Sequence, residues 1–172
     1  MNDRAPYNGS SAFLIRRSRL KMDGFVHSTK LKYKLELGLS NRDLAGAVPE
    51  TRNTPLLLFD AVLKWNFFKN LELWAGQTKL PGNRERVISS GDLQFVDRSA
   101  LNAKYNIDRD IGIQLRNHHS LNNGVVIREI FAFSQGEGRN ITAGNLGGFD
   151  FTGRLEILPF GNFKSKGDYT GG

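Results

Sequence analysis

The chain has no cysteine. That removes disulfides, thiolate catalysis and cysteine-ligated metals. It has no long apolar run either: the longest is about Leu56 to Phe59, against the roughly 20 residues a membrane-crossing helix requires. Histidine is scarce, at 3 residues, and the neighbours His118 and His119 would point to opposite faces of a strand, which does not build a metal site. Gly136-Glu137-Gly138 lacks the third glycine and following helix of a dinucleotide fingerprint. Glu72, Glu85, Glu129 and Glu156 have no spacing that defines a glycosidase pair. No enzyme and no cofactor are expected. Met1-Asn2-Asp3-Arg4 opens without an apolar core, so no export signal is read there, and the chain is expected to be a fragment of a longer one.

What is present is alternation. Between Lys30 and Leu39 the odd positions are Leu31, Tyr33, Leu35, Leu37 and Leu39, while the even ones begin Lys30, Lys32, Lys34 and Glu36. A period of two turns alternate side chains to opposite faces of a strand. The pattern recurs and predicts seven strands, near residues 13–26, 30–40, 56–68, 71–80, 110–117, 124–134 and 149–158. Two of them depart from clean alternation: the fourth puts Trp74 on the face of Glu72, and the sixth is mixed. Leu31, Tyr33, Leu35, Leu37, Leu57, Phe59, Leu63, Trp65, Phe151 and Leu155 are expected on one face. Arg17, Arg19, Lys21, Lys30, Lys32, Lys34 and Asp60 are expected on the other.

The predicted connections alternate between short and long. Turns near 27–29, 69–70 and 121–123 separate long segments at 41–55, 81–109 and 135–148. Up-and-down barrels of outer membranes connect their strands this way. The fold class expected is therefore all-β, an antiparallel up-and-down meander forming part of a transmembrane β-barrel, with residues 1–172 as a single partial barrel domain. The segment 81–109 is longer than a hairpin needs and contains a helix-compatible stretch, Arg84 to Ser90, so it is expected to fold into the lumen. The net charge of +7 calls for an anionic partner. On the polar faces of the first two strands, six cations (Arg17, Arg19, Lys21, Lys30, Lys32, Lys34) stand against Asp23 and Glu36, an excess of four.

Four segments, in order, carry a family resemblance: Leu14-Ile15-Arg16-Arg17-Ser18-Arg19-Leu20; Phe59-Asp60-Ala61-Val62; Gly76-Gln77-Thr78-Lys79-Leu80-Pro81-Gly82 with Glu85-Arg86, Ser89-Ser90 and Asp97-Arg98-Ser99; and Gly153-Arg154-Leu155 with Pro159-Phe160. Together they resemble the phosphate-selective porin O and P family. The resemblance implies a bacterial outer-membrane location, a barrel of about sixteen strands, a homotrimer, and passive passage of phosphate and other small anions through an ion channel. It also implies an anion-binding constriction of Arg16, Arg17, Asp60, Arg86, Ser89, Ser90 and Arg98. Asp97 stands where the family more often has Glu. Alternation puts Arg17 and Arg19 toward the lumen and Arg16 away from it.

Arginine's planar fork suits oxyanions. Arg19, Lys21, Lys30, Lys32 and Lys34 would form a basic lumen wall that collects them. The competing reading is a soluble basic β-protein that binds nucleic acid or another polyanion. It calls for aromatics clustered on the basic face, whereas alternation separates the two classes. The partners expected are thus small anions and a lipid bilayer, with no nucleic acid.

Overall fold

A computed structural model describes residues 13, 15, 17–44, 55–89, 92–93, 95, 98–121, 124–142 and 147–162. Seven strands, β1 (Arg19–Val26), β2 (Ser28–Gly38), β3 (Leu58–Phe68), β4 (Leu71–Lys79), β5 (Arg109–Ser120), β6 (Val126–Ser134) and β7 (Asp150–Leu158), form one open sheet in sequence order. Every adjacent pair is antiparallel. The all-β up-and-down meander expected from alternation is what the chain forms, and the strands, 8 to 12 residues long, have the length a tilted membrane strand requires.

Short and long connections alternate as expected. The first two strands are joined through His27 alone, in a left-handed conformation (φ 62°), and β3 turns into β4 at Lys69 (φ 42°) and Asn70. The three long connections lie at the opposite end of the sheet. They carry the short helices α1 (Asn41–Leu44), α2 (Arg84–Val87) and α3 (Ala100–Tyr105). The Asn83 side chain caps α2 by accepting from the Arg86 amide, and the Ser99 hydroxyl caps α3 by accepting from the Asn102 amide.

Packing runs opposite to that of a soluble sheet. Along β7 the apolar side chains of Phe151, Leu155 and Ile157 are exposed, while Asp150, Thr152, Arg154 and Glu156 between them are half-buried. The fifth strand repeats this, with Ile111, Ile113 and Leu115 exposed and Gln114 buried. Leu63 and Trp65, both 50% exposed, flank the half-buried Lys64. Aromatic rings meet across the apolar face, with Phe133 at 4.9 Å from Phe149 and 5.0 Å from Phe151. Among the described residues nothing covers this apolar face, and such a face suits hydrocarbon, not water.

One residue breaks the expected facing. Glu36 pairs with Asp60 and Leu37 with Leu58, which leaves Phe59 unpaired across a bulge. Phe59 therefore leaves the apolar face and is buried, at 6% exposure, among the charged groups. A second irregularity lies where Gly76 and Gly112 face each other on β4 and β5. Gly76 has φ +123°, and a Cβ there would meet the Ala61 carbonyl oxygen at 2.2 Å. Only glycine allows that conformation and that backbone approach. Beyond this pair, Arg109 turns to the charged face, although alternation groups it with Ile111 and Ile113.

Candidate functional site

The long-loop end of the charged face holds a network of ion pairs centred on Asp60. Its carboxylate is 1% exposed. It accepts from Lys34 Nζ at 2.5 Å and from Arg109 Nε at 2.9 Å. Lys34 also meets Glu36 at 2.8 Å, and Arg109 meets Asp108 at 2.6 Å. Arg19 pairs with Asp43 of α1 and lies 3.6 Å from Glu36. Burial raises the pKa of Asp43, but the Ser40 hydroxyl and the Arg19 guanidinium outweigh it and hold the carboxyl below its ordinary value. Phe59 forms the floor of this network: the guanidinium carbons of Arg19, Arg139 and Arg109 lie 3.7, 3.9 and 4.9 Å from its ring centroid.

The β4–β5 connection packs over the same face. The Arg154 guanidinium of β7 donates to the Gly82 carbonyl at 2.5 Å. Lys79 Nζ donates to the carbonyls of Arg86 and Ile88, at 3.2 and 3.1 Å. Arg98 donates to Glu85 and Ile88 carbonyls at 3.1 and 2.7 Å. Arg86 Nη2 donates to Asn102 and Asn106 carbonyls, both at 3.1 Å. These bonds fold three cations into the loop framework, and Arg86 Nε lies a further 3.7 Å from Asp108. Burial, with the nearby Arg86 and Arg109 guanidiniums and against the pull of Asp108, draws the Arg98 pKa below the usual arginine value. Glu85 ties α2 to α3 by accepting from the Ser99 amide and hydroxyl at 2.5 and 2.9 Å, and these bonds hold its pKa down.

The residues singled out from sequence are thus distributed as follows. Asp60, Arg19 and Lys34 meet in the network. Arg86 and Arg98 lie in the folded loop. Ser89 and Arg17 are exposed. Arg16 and Ser90, like Asp97, lie outside the described residues. Lys21 pairs in register with Glu36. Lys30 and Lys32 lie nearer the tight turns, where with Lys64, Thr29, Asn66, Glu72 and Trp74 they line a cavity of about 480 Å³.

Sequence reasoning missed Arg109, Arg139, Lys79 and Asp43. Arg109 meets Asp60, Arg139 meets Phe59 and Asp43 meets Arg19 only through the fold, and only the Asp108-Arg109-Asp110 run offered a local hint. It also misjudged the separation of aromatics from cations: Phe59 and Trp74 both stand among them. The Trp74 ring lies 3.8 Å from the Arg116 guanidinium and 4.0 Å from Lys64 Nζ, and its indole N–H donates to Glu72 at 2.8 Å. Since the protein's own cations occupy these rings, they offer no stacking platform for bases.

An open up-and-down sheet with an exposed apolar face, a half-buried charged face and one loop laid over the charged side is a wall of a membrane β-barrel. Barrels of this class enclose a polar interior. The chain belongs to the phosphate-selective porin O and P family, whose model matches residues 2–166 of the 172. No curated protein and no solved structure shows significant similarity to it. Family members are bacterial outer-membrane proteins, and membership points to an anion channel, not to an enzyme.

Proposed function

We propose that the chain forms part of the wall of a trimeric outer-membrane channel, each barrel having about sixteen strands, that passes phosphate and related small anions by passive diffusion. In this reading residues 81–109 narrow the lumen. Arg16, Arg17, Arg86 and Arg98, with Ser89 and Ser90, surround the anion at the constriction. Asp60 sets how strongly the neighbouring cations hold it. Lys21, Lys30 and Lys32 recruit anions along the wall, while Arg19 and Lys34 belong to the ion-paired network.

The observation that carries the reading is the loop bearing Arg86 and Arg98, bonded from Lys79 on β4 to Arg154 on β7 across the charged face. On this reading Arg86 and Arg98, fixed there, put positive charge beside the path of a permeating ion. A channel needs anion binding strong enough to replace hydration and weak enough to release. Partial neutralisation of the site by Asp60, Glu36, Asp43 and Asp108 suits that requirement.

The test is phosphate block of chloride current through the complete protein in planar bilayers. Loss of a charge-assisted contact costs about 1.5–3 kcal/mol, so Arg98→Ala should weaken block by about one to two orders of magnitude. Unchanged block in Arg98→Ala would remove this arginine from the constriction. A preference of the wild-type channel for cations would refute the anion pathway itself.

A further inference from the structure

Three guanidiniums share one phenyl ring at Phe59, and two of them have carboxylate partners. Arg19 has Asp43 and Glu36; Arg109 has Asp60 and Asp108. Arg139 differs. Among the described residues its direct contact is the Phe59 ring, 3.9 Å from the guanidinium carbon, and it makes neither a hydrogen bond nor an ion pair. It is half-buried and so still open to solvent. Its guanidinium therefore presents a full set of N–H donors beside two other cations.

Nor is Arg139 a loosely swinging surface residue. The next residue, Asn140, is clamped to the sheet by a reciprocal amide pair. Its backbone N–H donates to Gln77 Oε1 at 2.9 Å, and Gln77 Nε2 donates to its Oδ1 at 3.0 Å. Asn140 Nδ2 also donates to the Leu58 carbonyl at 3.0 Å. Gln77 is itself buried and donates to the Leu58 and Phe59 carbonyls at 2.9 and 3.2 Å. The clamp thus fixes the backbone beside Arg139 against the same β3 residues whose bulge turns Phe59 inward.

We propose that Arg139, held over Phe59 by the Gln77–Asn140 clamp and flanked by Arg19 and Arg109, forms an oxyanion-binding subsite separate from the residues of the β4–β5 loop, taking a small tetrahedral inorganic anion. The π-face offsets only part of the cost of crowding a third like charge. Among the described residues no carboxylate bonds to Arg139 directly, so an anion from solution can take its N–H donors, and a planar fork is the donor geometry that suits it. Burial and the nearby Arg109 and Arg19 draw the Arg139 pKa below the usual arginine value, against the pull of Asp108 and Asp43. The subsite rests on the anion-channel reading and adds to it a residue from the β6–β7 connection.

The experiment titrates inorganic phosphate against chloride current in the complete protein, with the reversal potential in a salt gradient recorded in parallel. Arg139→Ala should raise the half-blocking phosphate concentration roughly tenfold or more. Arg139→Lys keeps the charge and the ring contact but loses the fork, so it should weaken block while leaving the reversal potential unchanged. Asn140→Gly keeps the positive φ and removes the side-chain half of the clamp, and should weaken block by a smaller factor without changing any charge. If Arg139→Ala and Arg139→Lys both block as the wild type does, in a channel that remains anion-selective, the subsite is overturned and the anion-channel reading stands. If the wild-type channel is itself not anion-selective, both fall.

Discussion

At the long-loop end of the charged face, Arg19, Lys34 and Arg109 each lie against a carboxylate. Toward the tight turns, Lys30, Lys32 and Lys64 line a cavity in which Glu72 is the acid. Both regions are cationic, and they differ in how the charge is held. The first is a buried network whose members fix one another's positions, so its geometry is specific and its net charge small. The second is a set of lysines around an indole, with more excess charge and less mutual constraint. On the proposed anion-channel reading, the difference separates two tasks. Buried, hydrogen-bonded cations determine where an anion stops, and loosely held ones determine how many anions arrive.

Substitutions should separate these regions by the size and kind of their effect. Asp60→Ala leaves Lys34 and Arg109 without their shared carboxylate in a buried setting. Breaking such a pair typically costs about 3–5 kcal/mol. Urea unfolding of the complete protein in detergent should show a loss of that order, and a loss near zero would mean the network does not hold the long-loop end together. Lys30→Gln combined with Lys32→Gln should leave stability nearly unchanged. It should lower anion-over-cation selectivity strongly at low salt and little near 1 M, where screening shortens the Debye length to about 3 Å. A selectivity loss independent of salt would assign these lysines to direct contact instead.

The smallest effect expected is in acid. The Asp43 pKa is depressed below 3.8 when folded. Its contribution to stability is therefore fully present above that value and is lost as pH falls through the lower folded value. The urea midpoint of the wild type should drop below about pH 4. In Asp43→Asn it should be flatter there, with the unfolding free energy lower by less than about 1 kcal/mol at neutral pH. Identical acid profiles would show that Arg19 does not anchor α1.

Much of this contrast was written in the chain at period two. Leu31 to Leu39, Leu63 to Phe67 and Phe151 to Ile157 alternate so regularly that their strands and facing follow directly. The order of short and long connections was equally plain. What alternation does not register is a change of phase. The bulge that frees Phe59 from cross-strand pairing turns an apparently lipid-facing aromatic into the floor of the charged network. Past Gly76 and Gly112 the phase shifts again, and Arg109 is found opposite Asp60. Lys79 lay near the end of the fourth predicted strand and Arg98 in the long loop after it, and their bonds to the Ile88 carbonyl required the fold to bring the loop back on itself. Arg139 and Asp43 come from loops whose sequences gave no pairing signal. Trp74 was flagged as out of phase, and two cations over its ring explain it.

The central claim is that one sheet divides lipid from an aqueous interior, with its apolar residues outward. Spin labels placed singly at residues 63 to 67 of β3, in the complete protein reconstituted into bilayers, test this most directly. The account predicts that labels at positions 63, 65 and 67 are accessible to oxygen dissolved in lipid. Labels at positions 64 and 66 should instead be accessible to a water-soluble paramagnetic reagent. Uniform accessibility to the water-soluble reagent across all five positions would contradict it.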